Sequence, residues 1–139
     1  MRYLAIDYGT KRTGLAICDP REIVSSTLTI LQGGEALCRS IAEIARQEKV
    51  EAFVVGLPLN MDGSEGFQAK RVRAFADHLA RTLDLPVLFQ DERLSSYAAA
   101  EKLAECGPGR AKKGKLLDAL AAAEILTAFL ENKGSSDTR

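Results

Sequence analysis

Runs of apolar residues along the chain alternate between two periods, and the changes of period divide it into strands and helices. Tyr3 to Asp7 is a short apolar run closed by Tyr8-Gly9-Thr10-Lys11-Arg12, and a second run from Thr13 to Cys18 ends at Asp19-Pro20. Two such runs across a short glycine-containing loop predict a hairpin. Ile23 to Leu31, rich in Thr, Val and Ile, predicts a third strand, broken at Gly33-Gly34. From Glu35 to Lys49 the apolar residues Leu37, Ile41, Ile44 and Ala45 fall on one face of a helix. Ala52 to Leu57 is apolar throughout, as in a strand covered on both faces. After a loop at Pro58–Gly63, Ser64 is placed to cap a second helix on which Val72, Phe75, Ala76, Leu79 and Leu83 share a face. Pro86 to Gln90 predicts a further buried strand ending at Asp91-Glu92-Arg93. Ser95 or Ser96 caps a short helix that stops at Cys106-Gly107-Pro108. Gly109 to Lys115 reads as a basic loop, and Leu116 to Leu130 as a last helix that is apolar nearly all the way round.

Three leading strands in hairpin connection, followed by strand–helix–strand crossovers, predict an α/β fold: a five-stranded mixed sheet with helices on both faces. The 139 residues fit one domain, expected over 1–132, with 133–139 as a disordered polar tail. A hydrophobic fraction of 46% and a charged fraction of 27% suit an ordinary globular core.

The charges balance at 19 basic and 19 acidic, which by itself speaks weakly against nucleic acid. Local clustering changes that picture. Arg110, Lys112, Lys113 and Lys115 lie together before the last helix, Lys70, Arg71 and Arg73 on the second helix, and Lys11 and Arg12 beside Asp7. A basic loop beside an acidic site is what holding a phosphate backbone requires; the plain alternative is a solvated charged loop. Cys18, Cys38 and Cys106 show no paired spacing and read as buried or free thiols of a reducing compartment. No run approaches a membrane span, and a cytoplasmic protein without membrane contact is expected.

Three acids stand where acids are awkward: Asp7 at the end of the first strand, Glu92 after the last strand, and Asp118 in an otherwise apolar helix. In covered sheets, ligands gather outside the carboxyl ends of strands, and a helix packed there brings a third acid alongside. Converging carboxylates repel unless a cation compensates, and a magnesium ion suits a few carboxylates together with phosphate oxygens. Taken singly, Asp7 is also an ordinary turn former, Asp118 a helix-dipole partner and Asp91-Glu92-Arg93 a solvated cluster. Asp91 and Glu92 point to opposite faces of their strand, and parity alone does not choose between them. The glycines around Asp7-x-Gly9-Thr10 also suit a nucleotide phosphate.

Four segments in order carry a resemblance: Asp7-x-Gly9-x-Lys11-Arg12-x-Gly14-x-Ala16, Val55-Gly56-Leu57-Pro58-Leu59-Asn60-Met61-Asp62-Gly63, Asp91-Glu92-Arg93-Leu94-Ser95, and Lys113-Gly114-Lys115-x-x-Asp118-Ala119-x-Ala121-Ala122. Together they resemble the YqgF/RuvX family up to about Leu130. The resemblance implies a ribonuclease H-like fold, related to RuvC-type Holliday junction resolvases. It implies a nuclease that trims the 5′ end of precursor 16S ribosomal RNA or resolves branched DNA. Asp7, Glu92 and Asp118 would be its catalytic, metal-binding residues, with Mg²⁺ or Mn²⁺ as cofactor. Asn60 and Arg93 would support the site or contact substrate, alongside Lys11, Arg12, Arg110, Lys112, Lys113 and Lys115. Resolvases carry a further acid one turn after the last-helix Asp, where this chain has Ala121; one metal is then expected to bind tightly and a second to arrive with substrate.

Three functional readings follow. A metal-dependent nuclease acting on structured nucleic acid leads, as a homodimer if it resolves junctions and with no need of one if it trims ends. A non-catalytic nucleic-acid-binding module would bind without its carboxylates. A single lobe of an actin-like ATPase would bind ATP.

Overall fold

The computed structural model describes residues 1–9, 11–22, 25–92 and 110–137, the last helix by its backbone alone over 110–119 and 134–137. In chain order the elements are β1 (Tyr3–Asp7), β2 (Arg12–Cys18), β3 (Ser25–Gln32), α1 (Leu37–Gln47), β4 (Ala52–Leu57), α2 (Phe67–Leu83), β5 (Val87–Asp91) and α3 (Arg110–Asp137). The short helix expected after Ser95 lies outside the described residues.

The strands form one mixed sheet in the order β3-β2-β1-β4-β5. β1–β2 and β2–β3 are antiparallel, as the hairpin reading expects, whereas β1–β4 and β4–β5 are parallel and joined by helical crossovers. Side chains alternate between two cores. Leu4, Ile6, Leu15, Ile17, Phe53 and Val55 pack on one face under α1 and α2, through Ile41, Ala45, Val72, Phe75 and Leu79. Tyr3, Ala5, Ala16, Cys18, Ala52 and Val54 pack on the other face under α3, through Ala122, Ile125 and Leu126. Helices therefore cover both faces, and the double cover explains why β4 is apolar at every position.

α3 runs against the direction of β1 and β4. Phe129 meets Tyr3 at the start of β1, ring centroids 5.0 Å apart and edge to face. Ile125, one turn earlier, lies over Gly56 near the end of β4. Residues before Ile125 consequently extend toward the carboxyl ends of the central strands. Lys133 Nζ, 2.8 Å from a Glu22 carboxylate oxygen, fastens the other end of the helix beside the β2–β3 connection.

Several local expectations need correction. The segment Gly109–Lys115 is not a loop from Arg110 on: it forms the first turns of α3. Ala, Lys, Arg and Leu are strong helix formers, and one glycine, Gly114, costs only about 1 kcal/mol against them. At the other end the backbone of α3 is helical through Asp137. Ser64 does not cap α2. Its hydroxyl donates to Asp62 Oδ1 at 2.6 Å, and α2 starts at Phe67 with Gly66 as the residue before it. β5 is not buried on both faces among the described residues; it is the last strand of the sheet, and Leu88 is 39% exposed. A short apolar run reports burial but not how many neighbours a strand has. Among the described residues, no helix is long and apolar enough to cross a membrane.

Candidate carboxylate site

β1, β4 and β5 run parallel, so their carboxyl ends lie along one edge of the sheet. Asp7 is the last residue of β1 and sits opposite Gly14 of β2. It shares the parity of Tyr3 and Ala5, which places it on the α3 face. Glu92 directly follows β5. Its backbone N–H donates to the Leu57 carbonyl at 3.3 Å and continues the β4–β5 ladder by one residue. By parity with Gln90, which pairs with Gly56, Glu92 also falls on the α3 face, and Asp91 falls on the opposite one. The ambiguity between neighbouring acids is thus resolved by register.

The two acids meet. Glu92 is pushed up to about 8 from an ordinary 4.5, first by burial, then by the negative charge of Asp7, then by a hydrogen bond with Asp7, and last by Asp91. One of its oxygens, Oε2, is buried without a hydrogen-bond partner among the described residues. The floor beneath it is Gly56. A Cβ added there would fall 2.5 Å from Glu92 Oε2 and would overlap Ile125 Cδ1. An anionic oxygen held in apolar surroundings beside a second carboxylate is poorly solvated by protein alone. Carboxylate donors in that arrangement fit a divalent cation, whose positive charge would offset the repulsion between them and favour the ionised form.

Asp118 occupies α3 seven residues before Ile125, at helical spacing with Ala122 and Ile125 and two turns toward the carboxyl ends of the strands. Its side chain lies outside the described residues. Ala121, where resolvases carry a further acid, is 6% exposed.

The turn after Asp7 is held tightly. Tyr8 stacks on Phe75 of α2, centroids 4.2 Å apart and 16° from parallel, which pins the residue following Asp7 to the opposite face. Gly9 N–H donates to the buried Thr13 hydroxyl at 3.5 Å, and any side chain on Gly9 would run into the Arg12 carbonyl oxygen. Gly33 N–H donates to the Lys11 carbonyl at 2.9 Å and ties the turn to the end of β3. Lys11 is exposed there and Arg12, which opens β2, is half-buried.

Asn60 follows β4 at the same edge. Its side chain donates to Ser64 Oγ at 3.0 Å, and its backbone N–H donates to the Ser64 carbonyl at 2.8 Å. Asn60 thereby shapes the β4–α2 loop. Of the α2 cations, Arg73 pairs with Glu65 and lies 4.8 Å over the Phe89 ring, and Arg71 lies 5.7 Å over Phe67. Arg93, and the side chains of Arg110, Lys112, Lys113 and Lys115, lie outside the described residues. Gly56 stands inside the Val55–Gly63 motif, where its sequence position alone assigns it no role. The signal was present: a glycine inside an otherwise apolar strand marks a close approach.

The RuvX family, described as Holliday junction resolvase, matches residues 1–132. The chain belongs to the RuvX family. Among its RuvX-family relatives, a protein of Maridesulfovibrio salexigens named "Putative pre-16S rRNA nuclease" is 43% identical over 132 residues, covering 94% of this chain and 98% of that one. One of the same name from Anaeromyxobacter sp. is 45% identical over 136 residues, covering 96% of this chain and 98% of that one. In fold, this RuvX-family chain is similar to Thermus thermophilus RuvC in complex with Holliday junction substrate, with a TM-score of 0.60 at 17% identity over 97% of both chains. It is also similar to the Fowlpox virus resolvase bound to junction DNA, at 0.59 and 15%, over 96% of this chain and 99% of that one. The fold is ribonuclease H-like, as the resemblance implied.

Proposed function

We propose that this chain is a cytoplasmic, divalent-metal-dependent nuclease that hydrolyses phosphodiester bonds in structured nucleic acid, acting on the 5′ end of precursor 16S rRNA. The observation that carries the reading is the meeting of Asp7 and Glu92 at the strand ends, with Glu92 Oε2 buried and unpartnered among the described residues. Family membership and relatives named as pre-16S rRNA nucleases support the substrate.

Asp7, Glu92 and Asp118 hold the cation, Mg²⁺ or Mn²⁺. When bound, it supplies charge neutralisation at the scissile phosphate and eases the deprotonation of water. Glu92 would hold such a cation in its ionised form, so cation binding and Glu92 ionisation would be linked. Ile125 and Ala122 close the inner side of the site with apolar surface and keep bulk water from that side. Lys11, Arg12 and Arg93 flank the two acids in sequence and meet the phosphate backbone. Arg110, Lys112, Lys113 and Lys115 do the same from the first turns of α3, where the helix dipole adds positive potential. Asn60 keeps the β4–α2 loop in shape.

The test uses an RNA carrying the 5′ precursor segment of 16S rRNA and a four-way DNA junction, each with Mg²⁺ and with chelator. The RNA is expected to be cut in the presence of Mg²⁺ only, and the junction at least about tenfold more slowly, a difference of about 1.4 kcal/mol in barrier. Preferential cutting of the junction makes the protein a resolvase. Salt-sensitive binding of both with no cutting makes it a binding module. In the same preparation, replacing Lys112, Lys113 and Lys115 by Ala should weaken RNA binding. The slope of log affinity against log salt should become shallower by about 2 to 3. An unchanged slope removes these lysines from the interface.

A further inference from the structure

We infer that Gly56 is a positioning residue for the carboxylate site: the Cβ it lacks leaves the space in which the Glu92 carboxylate is held for the cation. The inference rests on the reading of Asp7 and Glu92 as cation ligands.

Nothing in the backbone requires glycine at this position. Gly56 lies inside β4, paired with Gln90 of β5, and it is not among the positive-φ glycines, Gly34 and Gly63. Its neighbours Val54, Val55 and Leu57 are buried, and a glycine among them gives up side-chain packing and strand propensity. The explanation has to be the space above it. Two groups share that space. Glu92 Oε2 enters from the end of β5, 2.5 Å from where a Cβ would stand. Ile125 enters from α3, with Cγ1 at 3.2 Å and Cδ1 closer still.

The blocking atoms decide what a substitution would do. At Gly9 the obstacle is a backbone carbonyl, which cannot move without opening the turn. At Gly56 all three nearest atoms belong to side chains: the Glu92 carboxylate end, and Cδ1 and Cγ1 of the buried Ile125. An alanine at 56 therefore calls for side-chain adjustment, where one at Gly9 would meet backbone. One of the atoms it displaces, however, is the buried oxygen that has no hydrogen-bond partner among the described residues. A small change of packing is converted into a misplaced ligand atom. Packing against Ile125 and placing Glu92 are separable roles, because shortening Ile125 relieves the first clash and not the second.

The experiment measures Mn²⁺ affinity of the full chain by electron paramagnetic resonance, together with melting temperature and the separate kcat and KM of Mg²⁺-dependent RNA cleavage. The proteins are wild type, G56A, I125A, G56A/I125A and D7N. G56A is expected to fold, to bind Mn²⁺ about 10- to 100-fold more weakly, and to lose kcat with KM for RNA unchanged. G56A/I125A should melt no lower than I125A and yet keep the Mn²⁺ defect. If G56A does not fold, the double variant carries the test alone. Wild-type Mn²⁺ affinity in the double variant would reduce Gly56 to packing against Ile125 and overturn the proposal, as would wild-type affinity in a folded G56A. D7N separates the two levels. If wild type and D7N bind Mn²⁺ alike, or neither binds it, the cation reading fails and Gly56 with it. If wild type binds Mn²⁺ and D7N does not, that reading stands and the Gly56 variants alone decide.

Discussion

Glu92→Gln is expected to make the metal-free protein more stable at pH 8 while ending its metal-dependent cleavage. Burial, foremost, and the charge of Asp7 raise the folded-state value of Glu92 from 4.5 to about 8. In the unfolded chain the carboxyl returns to its ordinary range. Between those values the native state holds a proton that the unfolded state has released, so unfolding free energy falls as pH rises through that window. The penalty is absent below about pH 4.5 and complete above about pH 8. Its size is on the order of a few kcal/mol. Glutamine keeps the shape, carries no charge and can donate a hydrogen bond to Asp7. The two proteins should melt nearly together at pH 5. At pH 8 without metal the variant should melt higher by about 5 °C or more. Adding Mg²⁺ at pH 8 should raise the wild type and leave the variant unmoved, because only the wild type gains a ligand that binds its folded form. A melting difference that is the same at both pH values would contradict this account of Glu92.

Asp7→Asn is expected to lower kcat for RNA cleavage by about a thousandfold or more, the several kcal/mol that a correctly held cation contributes. Asparagine is nearly isosteric and keeps an acceptor oxygen, so the β1–β2 turn built on Gly9 and Thr13 should survive. Binding of RNA should stay within a fewfold of wild type, or tighten, since one negative charge leaves the phosphate site. The variant also removes the second cause of the raised Glu92 value, so its loss of stability from pH 5 to pH 8 should be shallower than in wild type. Asp77→Asn is the matching control. Asp77 is exposed on α2, 2.7 Å from Arg81 in the helical i,i+4 arrangement, and such a pair contributes little. Cleavage by D7N within tenfold of wild type would exclude Asp7 from the chemistry.

Most of the fold was legible because its periods are clean. β1 and β4 have the bounds that their apolar runs indicate, and the two crossovers are marked by helical stripes through Ile41 and through Val72 and Leu79. The difficulties came where a local signal had more than one meaning. Gly114 and four basic residues read as a loop, but the helix propensity of their neighbours and the packing of Ala122, Ile125 and Leu126 on the sheet carry α3 back to Arg110. Ser64 has the chemistry of a helix cap, yet its Oγ accepts from the Asn60 amide and donates to Asp62 within the loop, and α2 starts three residues later at Phe67.

The candidate site was legible by residue type more than by geometry. Asp7 and Glu92 stand out because a charge at the end of an apolar strand is conspicuous. Which of Asp91 and Glu92 faces α3 depends on register with β4, a long-range property that no local pattern encodes. Gly56 was visible as an odd residue in a buried strand, but its neighbours across space, Glu92 and Ile125, are 36 and 69 positions away in the chain.

The most direct measurement is anomalous scattering from a crystal of the full chain soaked in Mn²⁺. A peak is expected between the Asp7 and Glu92 carboxylates, with an Asp118 oxygen completing the coordination at about 2.0–2.2 Å, typical of a small divalent cation held by oxygen. Density for Mn²⁺ elsewhere only, or an Asp118 side chain turned away while Asp7 and Glu92 share a proton, would contradict the proposed sharing of a cation by these three acids.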